Sequence, residues 1–170
     1  RVEAIAAAAP AVEAADAVAR VTNATGIRPW VHPAMPEEVR SRLDAGFDLA
    51  LDRLHELPAC RALFERLGAD PFATLATGLY FPVDSYRREI EVCGRNLAAS
   101  SRGAENLAYT TVGGAPTFLC RHFARVSTET AAVAVIHEAL HHAGLSEWPG
   151  DRLAMTSAEI TALVEQACGF

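Results

Sequence analysis

The sequence predicts an α+β fold: a mostly helical single domain spanning residues 1–170, with a small antiparallel sheet packed on the helix that carries His137 and His141. Three observations lead there. Between Glu37 and Leu57 apolar residues recur at helical spacing, with Val39, Leu43, Phe47, Ala50, Leu51 and Leu54 on one face. Leu107 to Leu119 reads as two short β-prone runs around Gly113-Gly114-Ala115-Pro116, a hairpin. Thr130 to Ala143 is rich in Ala, Val and Leu and nearly free of charge, so as a helix it would be buried on every side.

Taken in order, residues 11–20 are helical by composition, and Asn23 to Pro36 forms a loop or extended connection punctuated by proline. Asn23-Ala24-Thr25 has the form of a glycosylation acceptor. The amphipathic helix from Glu37 comes next. Pro58 opens a shorter one that Gly68 stops, and Asp70-Pro71 starts another as N-cap and first helical residue. Arg87 to Val92 has weak strand character, and the hairpin at 107–119 follows. Ser127 or Thr128 caps the buried helix and Gly144 ends it. Thr156-Ser157-Ala158-Glu159 is a capping box for a C-terminal helix. The single domain thus divides into an N-terminal helix and connection (1–36), a helical region (37–106), and the hairpin with the last two helices (107–170).

With 51% hydrophobic and 21% charged residues in 170, the chain can build one sizeable core, which excludes disordered and fibrous classes. The net charge is −6 and basic residues are not clustered, which argues against a nucleic-acid partner. No run of about 18 uncharged apolar residues is present, so no membrane-spanning segment is expected.

The chemistry is concentrated in His137-Glu138-Ala139-Leu140-His141. On a helix His137 and His141 lie one turn apart on the same face, close enough to hold one cation. Glu138 sits beside that face, where a carboxylate can take a proton from water. Two imidazoles and a carboxylate are costly inside so apolar a helix unless something compensates them, and a zinc ion would.

This motif resembles that of the zincin metallopeptidases, and the continuation His-Ala-Gly-Leu-Ser-Glu resembles the metzincin pattern H-E-x-x-H-x-x-G-x-x-H. The resemblance covers roughly the last quarter of the chain. It places the pattern's glycine on Gly144 and the third zinc ligand on Glu147, where metzincins carry His or Asp. A carboxylate oxygen is an ordinary zinc ligand. The gluzincin branch takes its third ligand from a Glu on a later helix, which makes Glu159 the competing choice. Met155, eight residues after Glu147, could be taken for a Met-turn, but the spacing is unusually short and simple packing accounts for it.

The resemblance implies a zinc peptidase in which His137, His141 and Glu147 hold the metal and Glu138 serves as general base. An additional donor to the oxyanion could be Tyr86, Tyr109, His122 or His142, which the sequence does not rank. In zincins a sheet edge beside the motif helix pairs with the peptide substrate, a role open to the hairpin. The alternative is a catalytically inactive zincin-like module that binds a metal or a protein partner.

The four cysteines, Cys60, Cys93, Cys120 and Cys168, form no C-x-x-C pair, and their even number fits two disulfides in a secreted, periplasmic or extracellular protein. Of the three possible pairings the sequential one is expected, Cys60 to Cys93 and Cys120 to Cys168. The second bond would fasten the C-terminal helix to the strand preceding the motif helix. Four reduced thiols in a cytosolic protein are the competing reading.

Overall fold

The apolar stripe that begins at Val39 builds α1, Glu37–Glu56, in a computed structural model that describes residues 26–83, 93, 107–151 and 153–170. The helix expected over 11–20, the weak strand at Arg87 to Val92, the Asn23 acceptor and Tyr86 lie outside the described residues. Glu37 and Glu38 in the first turn of α1, with Arg53 and His55 in the last, complement the helix dipole. Pro58 occupies the first position of α2, Pro58–Glu65, where its missing N–H costs nothing. Asp70 caps α3, Pro71–Ala76, accepting the Ala73 N–H at 2.6 Å.

After a 3-10 turn at Arg121–Arg125 comes α4, Thr128–His142, capped by Ser127, whose hydroxyl accepts the Thr130 N–H at 3.0 Å. Ten of its residues, Ala131 to Val133 and Val135 to His141, are buried, as its composition requires. The last helix, α5, Ser157–Cys168, begins with the complete Thr156 and Glu159 capping box.

The closest approach of α4 to α1 is set by a glycine. A Cβ on Gly46 would lie 2.7 Å from the Ala131 Cβ and 2.9 Å from the Ala131 carbonyl carbon, distances that backbone cannot yield cheaply. Gly46→Val is therefore expected to push the motif helix off α1 and cost about 1–3 kcal/mol. Equilibrium urea unfolding checks this, and a stability equal to wild type would show that the two helices are not so tightly apposed.

Among the described residues the fold is α+β and mostly helical, with five α-helices and a four-stranded sheet. The sheet corrects the sequence expectation: it is mixed rather than antiparallel. Its strands are β1 (Trp30–Val31), β2 (Leu79–Pro82), β3 (Ala108–Thr110) and β4 (Pro116–Leu119), in the order β1-β2-β4-β3. Only the expected hairpin, β3 with β4, is antiparallel; β1 runs parallel to β2, and β2 parallel to β4. Parallel pairs need long crossovers, and α1 to α3 supply the one from β1 to β2. Strands of two and four residues are too short to show alternation, so β1 lay hidden in an expected connection.

Register sorts the side chains into two faces. Tyr80 pairs with Thr117 and Thr110 with Thr117, which puts the three on one face; Tyr80 and Thr117 are buried. Trp30, Phe81, Phe118 and Tyr109 form an aromatic row on the other, with successive ring centroids 5.2, 5.6 and 4.9 Å apart.

The disulfides also differ from the expected pairing. Cys60 bonds Cys168 and Cys93 bonds Cys120, joining residues 108 and 27 apart. The C-terminal helix is indeed fastened, but to α2 rather than to the strand before α4. Helices α2 and α5 pack together and bring their buried cysteines to a Cα separation of 4.6 Å, a proximity that no sequence spacing records. Among the described residues no helix is long and apolar enough to cross a membrane.

Candidate metal centre

The end of α4 determines how one histidine is aimed. Gly144, at φ +101°, lets the chain turn back so that its N–H bonds the His141 carbonyl at 3.0 Å and the Leu145 N–H bonds the Leu140 carbonyl at 2.9 Å. These two bonds constitute a Schellman motif. They leave the Leu145 carbonyl under the imidazole of His141, whose Nδ1–H donates to it at 2.7 Å. A carbonyl can only accept, so the proton of neutral His141 resides on Nδ1 and its Nε2 carries the lone pair.

His137, one turn earlier, has its Nδ1 3.1 Å from the Thr161 hydroxyl on α5. Its Nε2 lies 3.1 Å from that of His141. The loop that leaves the Schellman turn brings Glu147 to the same point, with Oε1 3.6 Å from His137 Nε2 and 3.4 Å from His141 Nε2. Ser146 steadies that loop: its hydroxyl accepts the Trp148 N–H at 3.0 Å and its carbonyl accepts the Met155 N–H at 3.1 Å. Both imidazoles are buried and the carboxylate is partly exposed, leaving the group open to solvent on one side.

His137, His141 and Glu147 thus form a group that could hold a metal ion. The donor set fits zinc: with bonds of ~2.0–2.1 Å, the ligand atoms of a tetrahedral site stand about 3.3 Å apart, close to the separations here. Three ligands and an open side are the pattern of a reactive site rather than a closed structural one. Burial, followed by the neighbouring His141, lowers the pKa of His137 to about 4, against the opposing pull of Glu147. Its imidazole is therefore held in the neutral form that a metal requires.

Glu138 faces the sheet. The Thr110 hydroxyl donates to its carboxylate and itself lies 2.7 Å from the Thr117 hydroxyl, while the buried Tyr80 ring stands on the same face. Burial pushes the carboxyl up to about 7, opposed by His141 and the Thr110 hydrogen bond and helped by Glu147. Burial first and Glu138 second raise the Tyr80 hydroxyl in turn. The Glu138 Oε2 is buried with no hydrogen-bond partner among the described residues. A buried carboxylate oxygen without such a partner, within electrostatic reach of His141 and Glu147, is suited to a reacting molecule rather than to holding the fold together.

Glu159, the competing ligand, is elsewhere engaged. Its Oε2 accepts the Thr156 N–H at 2.7 Å and the Thr156 hydroxyl at 2.8 Å, contacts that hold its carboxyl below the usual range, and it is not in the convergent group. His142 turns away towards the Thr74 backbone, and burial lowers its pKa. Tyr109 stacks on Phe118, on the sheet face opposite Thr110. Neither is directed at the three ligands. His122 lies in the 3-10 turn. Met155 packs against the core.

Thr161, Thr110 and the Leu145 carbonyl are the participants that sequence reading missed. The first two stand 24 and 28 residues from their partners on other elements, so no motif links them. The Schellman glycine was a readable signal for the third. Compared with protein-family models, curated proteins and solved structures, the chain matches none.

Proposed function

We propose that the chain is a zinc-dependent peptidase, secreted or otherwise extracytoplasmic, that hydrolyses peptide bonds with Glu138 as general base. The observation that carries this reading is the convergence of Nε2, Nε2 and Oε1 of His137, His141 and Glu147, with the buried Glu138, whose Oε2 has no hydrogen-bond partner among the described residues, in electrostatic reach of His141 and Glu147. When bound, zinc supplies Lewis acidity that polarises a carbonyl and brings the pKa of water towards ~7.

The rest falls to the chain's own groups. Leu145 and Thr161 hold the two imidazoles with their Nε2 atoms inward. Thr110 orients Glu138 through one hydrogen bond, leaving Oε2 to receive a proton from the attacking water and deliver it to the leaving amine nitrogen. The sheet face of Tyr80 and Thr117 walls off bulk solvent behind that carboxylate. Among the described residues β3 has a strand neighbour on one side only, and its Thr110 touches Glu138. The hairpin is therefore the candidate element for an extended peptide or protein substrate to add a strand to. Two disulfides and the absence of a membrane-spanning helix among the described residues are consistent with an oxidising extracytoplasmic compartment.

The test is zinc-loaded protein acting on casein. Hydrolysis should stop when a chelator strips the metal and return when zinc is restored, and His141→Ala should neither retain stoichiometric zinc nor cleave. Tight zinc binding with no hydrolysis would overturn the peptidase reading and leave a metal-binding module.

A further inference from the structure

We propose that Thr161 is a positioning residue of the metal centre: its hydroxyl, 3.1 Å from Nδ1, accepts a hydrogen bond from the Nδ1–H of His137 and so favours the tautomer whose Nε2 lone pair faces the cation. This rests on His137, His141 and Glu147 being metal ligands.

The two histidines are not equivalent. A neutral imidazole carries one N–H, and for His141 the Leu145 carbonyl decides where it goes. Among the described residues no backbone group decides for His137. Its Nε2 stands 3.1 Å from the lone pair of His141, so a proton on Nε2 would close the pair in a His-to-His hydrogen bond and occupy the position where both rings must face a metal. A hydroxyl can donate or accept, and Thr161 can accommodate either tautomer. With a cation facing both rings it would accept from Nδ1 and so stabilise the tautomer that ligates.

Its location suits that task. Ile160, Val164 and Cys168 form the buried face of α5, and Thr161 sits one residue round from it, towards α4. The Thr156 capping box fixes one end of the helix and the Cys60–Cys168 bond the other, so the hydroxyl is presented from a rigid element. Flexible delivery would not hold a ring to one tautomer.

The test compares Thr161→Val, which keeps the shape and loses the acceptor, with Thr161→Ser, which restores it. Zinc affinity is measured by competition with a chromophoric chelator and ligand geometry by the visible spectrum of the Co(II) form. Val should weaken zinc binding about 10- to 100-fold and alter the Co(II) bands, and Ser should recover both. Val and Thr have similar helix propensities, so a loss of helix is not the expected cause. Wild-type affinity and spectrum in the Val variant would overturn the assignment while leaving the metal site intact. If wild type takes up no zinc, the metal reading falls and this one with it. Should the Val variant not fold, nuclear magnetic resonance of the wild-type zinc form decides: the His137 Nδ1–H should be hydrogen-bonded and slow to exchange with solvent, and an Nδ1–H that exchanges as fast as that of an exposed imidazole refutes the role.

Discussion

Glu138→Gln is expected to retain zinc at wild-type stoichiometry and to lower peptide hydrolysis by about 10²- to 10⁴-fold, the usual contribution of a positioned general base. Glutamine has the same shape, and its amide oxygen can still accept from Thr110, so the contact that orients residue 138 survives. What it loses is the ability to receive a proton at the unpartnered oxygen. The exchange also removes a carboxylate from a buried position, so the folded protein should not be weakened. Parallel measurement of bound zinc, thermal stability and casein cleavage separates the possibilities. Unchanged cleavage by the variant would dismiss Glu138 as the base, and metal loss would mean that it supports the ligands instead.

The second large effect concerns the C-terminal helix. Replacing Cys60 and Cys168 together by Ala opens a connection between residues 108 apart, for which the chain-entropy relation gives about 4.8 kcal/mol. Opening Cys93 to Cys120, 27 residues apart, gives about 3.5 kcal/mol by the same relation. Domains of this size are stable by ~5–15 kcal/mol, so the first loss removes a large share of the total, on the order of 10–20 °C in Tm. Both cysteines of the long bond are completely buried, and the cavity left by their sulfurs adds to the cost. Urea unfolding of the two double variants should rank the Cys60 and Cys168 pair as the more damaging. The reverse order, or a loss under 1 kcal/mol, would mean that α2 and α5 hold together by packing alone.

Much of the fold and part of the centre were legible in the residues. The stripe from Val39 to Leu54 became α1, the glycine-rich turn became the β3 to β4 hairpin, and the uncharged run from Thr130 became the buried α4. Gly144 and the Thr156 box end and begin their helices as read. The spacing of His137 and His141 placed their rings together because a helix turns once in 3.6 residues. All of these signals act between residues three to five apart, where the backbone geometry is fixed by the local conformation itself.

The tertiary structure decided the remainder. Glu147 and Glu159 both had reasonable spacing, and it was the Ser146 anchors on one loop and the capping duty on one helix that placed the first carboxylate with the histidines and kept the second out. Disulfide partners, the parallel pairing of β1 with β2 and β2 with β4, the hydroxyl of Thr161 behind His137 and that of Thr110 on Glu138 all join residues far apart in the chain. Such contacts depend on which elements bury their apolar faces against each other. That choice is made by the packing of the whole core, so no short stretch of sequence contains it.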